Sequence, residues 1–275
     1  MQTEYQTILV EKANGVTTVK FNRPEKRNAM SPQLHRDMFD VLSDLEFDDE
    51  TEVLIITGVG DAFCAGQDLK EYFYNQKDSE RAREESRRLS HAWRHQKLYY
   101  FPKPTIAMIN GYCFGGAFTT VASADIAITA DEAVFGLSEI NFGNLAGGIV
   151  SKVVADLMLP RQALYYLMTG ETFNGKRSVD IGFTTLSVPK EELVERTLAI
   201  AETLKAKDKH GLRACKEAFK AVDIKTMSFE DSWYWLTARS DQLQLAQKDK
   251  SWLQHNVGKF VEKAYRPGLE PMPKD

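Results

Sequence analysis

The chain has 275 residues, 35 of them basic and 39 acidic, for a net charge of −4. That balance argues against a nucleic-acid partner, which calls for a basic excess. The 43% hydrophobic and 27% charged residues are globular values that exclude a disordered, collagenous or coiled-coil chain. The length allows one large domain or two small ones. Three cysteines, Cys64, Cys113 and Cys215, are too few and odd in number for a disulfide framework, so a reducing compartment is expected. No apolar run approaches the roughly 18 residues of a membrane span, and the first ten residues lack the apolar core of a signal peptide. The expectation is a cytoplasmic protein without a membrane partner.

Residues 5–10 and 16–21 are β-rich runs around Asn14-Gly15, the pattern of a hairpin. Ser31-Pro32 has the form of an N-cap followed by proline in the first helical turn. Leu34, Met38, Leu42 and Leu45 then recur at helical spacing. A buried strand is expected at 53–57, a loop from Gly58 to Gly66, and a helix opening at Asp68. Residues 78–88 are densely charged and predict a solvated helix face, with Leu89, Trp93 and Leu98 on its buried side. After Pro102 and Pro104, strands are expected at 105–109 and 126–129, with a glycine turn and a small-residue helix between them. Strand, turn, helix and strand in succession predict an α/β domain with parallel strands. Beyond Phe135-Gly136 the pattern reads as mostly helical. The expected division is an α/β core over 1–200 and a helical region over 201–275.

Three local features carry candidate chemistry. Gly115-Gly116 stands at a strand-to-helix junction, where a bare backbone N–H can approach a ligand and stabilise a developing oxyanion. Ala65-Gly66-Gln67 leads into a helix in the same way and offers a second N–H at Gln67. Each alone also reads as a tight turn. Glu139 lies between Leu137 and Ile140, where partial desolvation would raise its pKa and suit it to general acid/base work, although an exposed loop glutamate has the same local sequence. The five histidines form no H-E-x-x-H motif, no cysteine pair has metal spacing, and His91 and His95 read as a surface pair, so no metal is expected.

The segments Asn22-Arg-Pro-Glu-Lys-Arg-Asn-Ala-Met30, Ala65-Gly-Gln-Asp-Leu69, Lys103-Pro-Thr-Ile-Ala-Met-Ile-Asn-Gly111, Gly115-Gly116, Ala124-Asp-Ile-Ala127 and Phe135-Gly-Leu-Ser-Glu139 stand in one order along nearly the whole chain. Together they resemble the crotonase, or enoyl-CoA hydratase/isomerase, superfamily. The resemblance implies a spiral of ββα units with a helical C-terminal region used in trimer assembly. It implies an acyl-CoA substrate, with no cofactor beyond the coenzyme A moiety. It places the N–H groups of Gln67 and Gly116 in an oxyanion hole. Lys26, Ala65 and Leu69 fall where the family lines the CoA nucleotide, joined by Phe260 and Lys263 of a C-terminal helix that completes a neighbouring subunit's pocket. The implied assembly is a homotrimer or a dimer of trimers.

Ordinary hydratases of the family carry a second glutamate twenty positions before the one matching Glu139; here that position is Thr119. A threonine cannot serve as a carboxylate base. Within the superfamily the chain is most similar to the hydroxycinnamoyl-CoA (feruloyl-CoA) hydratase-lyase branch, through Asp68-Leu-Lys-Glu-Tyr-Phe73, Gly111-Tyr-Cys-Phe-Gly-Gly116, Ala163-Leu-Tyr-Tyr-Leu-Met-Thr-Gly170 and Arg266-Pro-Gly-Leu269. That branch also has a small hydroxyl residue at the Thr119 position. The resemblance implies water addition followed by retro-aldol cleavage to an aromatic aldehyde, of the vanillin type, and acetyl-CoA. It sets Glu139 as the acid/base, Tyr72 at the ring's para-oxygen, and Ser138 and Phe142 along the acyl pocket. The branch has a methionine where this chain has Gln67, a tryptophan at Phe142, and a proline-rich segment at Asn144-Leu-Ala-Gly147. A second ring-binding tyrosine aligns with Thr237, and Tyr234 lies one helical turn earlier. Other readings are a hydratase or isomerase for a different enoyl-CoA, and a non-catalytic binding or scaffold protein of the same fold.

Overall fold

The computed structural model describes residues 4–76 and 78–222 and, further on, 231, 233–235, 237–239 and 242. The chain divides into two units, Met1–Arg213 and Ala214–Asp275. The first holds both sheets.

Asn14 and Gly15 stand at φ +50° and +76° and close a two-residue turn. Such a turn joins strands that abut it directly. The first strand, β1 (Ile8–Ala13), therefore starts three residues later than expected and runs antiparallel to β2 (Val16–Phe21), with Ala13 opposite Val16. The Ser31 hydroxyl accepts the Leu34 N–H at 3.2 Å and caps α1 (Pro32–Glu46). This helix buries Leu34, Met38, Leu42 and Leu45 as their spacing predicts, and also His35 and Asp37. All six residues of β3 (Val53–Gly58) are buried.

The expected loop from Gly58 to Gly66 contains a short strand, β4 (Ala62–Cys64), buried throughout. Three residues are too few to show a period, so nothing local distinguishes them from loop. The charged run forms α2 (Glu80–His91), whose buried residues are Ser86 and Ser90. The chain continues from it in wider π-type turns over residues 92–98, where Trp93 and Leu98 are fully buried and Leu89 before them is half-buried. Next come β5 (Thr105–Ile109), β6 (Tyr112–Phe114), α3 (Ala117–Ser123), β7 (Ile126–Ala130) and β8 (Val134–Gly136). The part read as mostly helical contains α4 (Val150–Leu157) and α5 (Pro160–Thr169), but also β9 (Thr172–Asn174), α6 (Gly175–Asp180) and β10 (Leu186–Val188). It ends in α7 (Leu193–Lys205) and α8 (Lys209–Ala221).

From β3 onward, each pass of the chain leaves one strand in each of two sheets. The larger runs β1-β2-β3-β5-β7-β10, with every pairing from β2 onward parallel. The smaller runs β4-β6-β8-β9, parallel except for its last pair. This is the expected spiral of strand–strand–helix units. Aromatic rings bind α3 to the smaller sheet, with Phe118 edge-on to Phe135 and Phe173 at 6.1 and 6.2 Å.

A polar cluster joins the 22–30 segment to the one after β4. The Asn28 side-chain amide donates to the carbonyls of Val59 and Ala62 at 3.0 and 2.7 Å. Buried Arg23 reaches Asp68 at 3.0 Å and Glu71 at 2.6 Å. Asp68 also accepts the N–H groups of Lys70 and Glu71, capping a π-type turn over Leu69–Tyr74. Burial works to raise the Asp68 pKa, but these backbone and Arg23 hydrogen bonds outweigh it and hold the carboxyl below the usual range. Asp68→Ala removes the cap and half of Arg23's neutralisation together. The expected loss of stability is about 2–4 kcal/mol, to be read from urea unfolding at neutral pH.

Candidate active site

The ends of β4 and β6 lie side by side, and the site is built where both turn outward. Gly66 stands at φ +87°, and a Cβ there would lie 2.8 Å from the Phe114 carbonyl and 3.4 Å from the Gly116 nitrogen. A Cβ on Gly116 would meet the Gln67 Cγ at 3.5 Å. The two turns thus bring the backbone of Gln67 and Gly116 together. Met30 bridges Gln67 in parallel fashion, taking the carbonyl of Gly66 and the N–H of Asp68. Among the described residues, neither the Gln67 nor the Gly116 N–H has an acceptor. Two such donors at one place are the makings of an oxyanion hole.

Glu139 enters from a 3₁₀ turn, Ser138–Phe142, that follows β8. The turn brings its carboxylate over Gly115, where a Cβ would lie only 2.7 Å from Oε1. Gly115 stands at φ +50°, its N–H held by the Gly136 carbonyl at 3.0 Å. Glu139 Oε2 is buried without a hydrogen-bond partner, and burial raises the pKa of the carboxyl. A desolvated carboxylate with an open oxygen, set beside two open N–H groups, can take and return protons at an atom next to a stabilised oxyanion.

The remaining predicted residues are placed as follows. Tyr72 is half-buried, its ring edge-on to His35 at 5.4 Å. Thr119 is 1% exposed; its hydroxyl donates to the Gly116 carbonyl at 2.7 Å and accepts from Arg94. It is engaged within the protein rather than turned free to a ligand. Ser138 is half-buried in the turn that carries Glu139, and Phe142 at its end is 70% exposed. Lys26 and Leu69 are exposed, and the Ala65 N–H donates to the Arg27 carbonyl at 2.9 Å. That bond holds the Lys26 turn beside the end of β4. Tyr234 and Thr237 belong to the second unit and are exposed there. Phe260 and Lys263 lie outside the described residues.

Reasoning from sequence missed Ser90, Arg94 and the role of His35. All three are buried polar groups in helices otherwise read from their apolar spacing. Burial pulls the His35 pKa down to about 3, aided by the charge of Arg94. His91 and His95 have rings 5.2 Å apart, but His95 is half-buried rather than on the surface. Cys64 and Cys113, opposite one another in β4 and β6, are buried free thiols whose pKa burial pushes up, to about 12 for Cys64. They are not nucleophiles. Among the described residues no cluster of His, Cys, Asp or Glu could hold a metal ion, and no helix is long and apolar enough to cross a membrane.

The profile of the enoyl-CoA hydratase/isomerase family matches residues 11–265. The chain belongs to that family. It is 44% identical over 267 residues to a hydroxycinnamoyl-CoA hydratase-lyase of Pseudomonas fluorescens, covering 97% of this chain and 96% of that protein. The solved structure of an enoyl-CoA hydratase from Bacillus anthracis superposes with a TM-score of 0.82 at 25% identity, over 94% of this chain and 97% of that one. Human enoyl coenzyme A hydratase domain-containing protein 3 gives the same TM-score and identity over 94% and 98%.

Proposed function

We propose that the protein is a hydroxycinnamoyl-CoA hydratase-lyase, which adds water to the double bond of a feruloyl-, coumaroyl- or caffeoyl-type thioester and then cleaves the product to an aromatic aldehyde and acetyl-CoA. The observation that carries this reading is the single desolvated carboxylate of Glu139 beside the open N–H groups of Gln67 and Gly116, with Thr119 where a two-carboxylate hydratase has its second base. The 44% identity to a hydratase-lyase supports the choice of acyl group.

In this reading the thioester oxygen takes the two N–H groups. Glu139 removes a proton from water as its oxygen adds to Cβ, and the electron pair of the double bond moves onto the thioester oxygen as an enolate. Glu139 returns that proton to Cα, completing hydration. It then takes the proton of the new β-hydroxyl; the Cα–Cβ bond breaks, a carbonyl forms at Cβ, and the electrons pass again to the enolate oxygen. Protonation of Cα from Glu139 yields acetyl-CoA and restores the carboxylate. Water is consumed, and neither an oxidant nor a metal enters the balance. A para-hydroxyl on the ring assists by releasing electron density along the conjugated chain.

Tyr72 meets the ring oxygen, with Ser138 and Phe142 along the acyl pocket. Lys26, Ala65 and Leu69 take the CoA nucleotide, completed by Phe260 and Lys263 of a neighbouring copy in a homotrimer or a dimer of trimers. Exposed Phe142, Leu145, Leu164 and Met168 support assembly. The proposed location is the cytoplasm, with no resident cofactor.

Mass spectrometry of the products from feruloyl-CoA and 4-coumaroyl-CoA tests the reading. Aldehyde plus acetyl-CoA is the expected result. An intact β-hydroxyacyl-CoA would mark a simple hydratase, the reading favoured by Gln67 and Phe142, where the branch has a methionine and a tryptophan. Binding without turnover, crotonyl-CoA included, would mark a scaffold protein.

A further inference from the structure

Behind the Gly66 and Gly116 turns lies a set of buried side chains that the reaction above does not use. Trp93 Nε1 can only donate, and it gives its proton to His35 Nδ1 at 2.9 Å. His35 is fully buried and neutral, so its own proton lies on Nε2 and goes to Gln67 Oε1 at 2.9 Å. The Gln67 amide in turn donates from Nε2 to Ser90 Oγ at 3.3 Å. These groups are neutral throughout. They hold the Gln67 side chain from both sides, and with it the residue that offers one of the two open N–H groups.

Arg94 is the charged member of the set. Its Nε donates to the Ser90 carbonyl at 3.0 Å and its Nη1 to the Gly116 carbonyl at 2.9 Å. Nη1 also donates to the Thr119 hydroxyl, and Nη2 to the Ser90 hydroxyl. The residue is 7% exposed, yet burial lowers its pKa only to about 10, so it is a cation at neutral pH. None of these partners is a carboxylate. The titratable groups acting on its charge, Tyr72 and Cys64, are neutral at that pH as well. Glu139 stands over Gly115 and makes no ion pair with it. A buried cation held only by neutral groups is costly and keeps its field. Position decides where that field falls. A Cβ on Gly116 would meet Arg94 Nη1 at 3.6 Å and Gln67 Cγ at 3.5 Å. The guanidinium thus stands against the two residues whose N–H groups are open.

We infer that Arg94 is a positioning residue of the oxyanion hole, held by Ser90, Thr119 and Gly116 so that a buried positive charge backs the Gln67 and Gly116 N–H groups and stabilises the enolate oxygen with them. The inference rests on the acyl-thioester reading of the site and adds a whole charge to its two dipoles. The dipoles act at contact, whereas a charge in a dry setting reaches further. The thioester oxygen is nearly neutral in the bound substrate and carries the negative charge in the enolate. Arg94 therefore lowers the barrier more than it strengthens binding. No bond to Arg94 forms or breaks, and its protons stay in place throughout.

The experiment uses full-length Glu139→Gln, which holds a thioester without consuming it, loaded with crotonyl-CoA or 4-coumaroyl-CoA labelled at the thioester carbonyl. Polarisation of that carbonyl lowers its infrared stretching frequency, so the shift from free to bound ligand reads the field at the oxygen. Arg94→Gln in the same background is expected to lose about half of the shift or more. Arg94→Lys, with the charge but not the fork, and Ser90→Ala, with the charge but not the tie to Gln67, are expected to keep most of it. In the otherwise native enzyme, Arg94→Gln lowers kcat by about tenfold or more, with KM within a few-fold of native. A merely structural arginine would make the shift depend on Ser90 as much as on Arg94. A shift unchanged in Arg94→Gln, or lost equally in Ser90→Ala, overturns the inference. Should Arg94→Gln fail to fold, loss of the shift in folded Arg94→Lys overturns it equally, and its retention there supports it. If Arg94→Gln removes the shift but the native enzyme yields no aldehyde from 4-coumaroyl-CoA, the hydratase-lyase reading falls and the inference stands. If the native enzyme yields aldehyde but the shift survives in Arg94→Gln, the inference falls and the hydratase-lyase reading stands. Failure of both thioesters to bind overturns both.

Discussion

Glu139→Gln is expected to lower turnover of a hydroxycinnamoyl-CoA by 10²–10⁴-fold, the usual worth of a positioned acid/base, while leaving thioester binding within a few-fold of native. Glutamine keeps the shape of the side chain but cannot take a proton from water or from the β-hydroxyl. Stopped-flow turnover and equilibrium titration on the same preparation separate the two effects; turnover near the native rate would end the assignment. The native enzyme carries a matching pH signature. Burial raises the Glu139 pKa above the ordinary 4.5, and only the ionised form is a base. kcat/KM therefore falls as pH drops through that raised value, and the acid limb attributable to Glu139 vanishes in the variant. The stability sign is opposite. A carboxyl whose folded pKa is raised contributes stability below its unfolded pKa, and that contribution is lost as pH rises through the folded one. At neutral pH the ionised Glu139 thus strains the fold, and the glutamine variant is expected to melt no lower than the native protein.

Gly115→Ala is expected to cost about a hundredfold in kcat with the fold retained. Two terms act. A side chain at φ +50° lies in the left-handed region, which costs about 1–2 kcal/mol outside glycine. The new methyl would also sit 2.7 Å from Glu139 Oε1, inside van der Waals contact. The carboxylate is the movable partner, so it shifts, and a displacement near 1 Å at a reacting group costs on the order of 10² in rate. Steady-state kinetics beside circular dichroism and thermal melting checks this. A variant with native kcat would show that Glu139 does not act from above Gly115.

What could be read beforehand follows the reach of local signals. Glu139, Gly115 and Gly66 announce themselves because a carboxylate among apolar residues and glycines at strand ends are odd in place. The cap at Ser31 and the apolar face of α1 are equally local. β4, β6, β8, β9 and β10 have three residues each, below the length at which alternation shows. They exist because a neighbouring strand is already in position, which no window of sequence contains. The buried hydrogen bonds from Trp93 through His35 and Gln67 to Ser90 were hidden for a related reason. His35, Gln67 and Ser90 come from three separate segments, and each looks like an ordinary polar residue until the fold buries them side by side. Arg94 was further masked by the charged run before it, which predicts solvent, whereas the π-type turns after α2 rotate this one cation inward.

The strand order of the larger sheet has a consequence for how the protein is made. Read across the sheet, β1-β2-β3-β5-β7-β10 rises without reversal. Each strand that leaves the ribosome meets a finished edge and joins it; none has to be inserted between two strands already paired. Assembly can keep pace with synthesis from the N-terminal end, as domains growing during translation do. Until the next strand arrives, though, each growing edge carries unpaired backbone groups that another nascent chain could pair with. For this protein the interval of greatest exposure to misassembly falls between β7 and β10, while the two sheets wait for the segment that holds α4, α5 and α6.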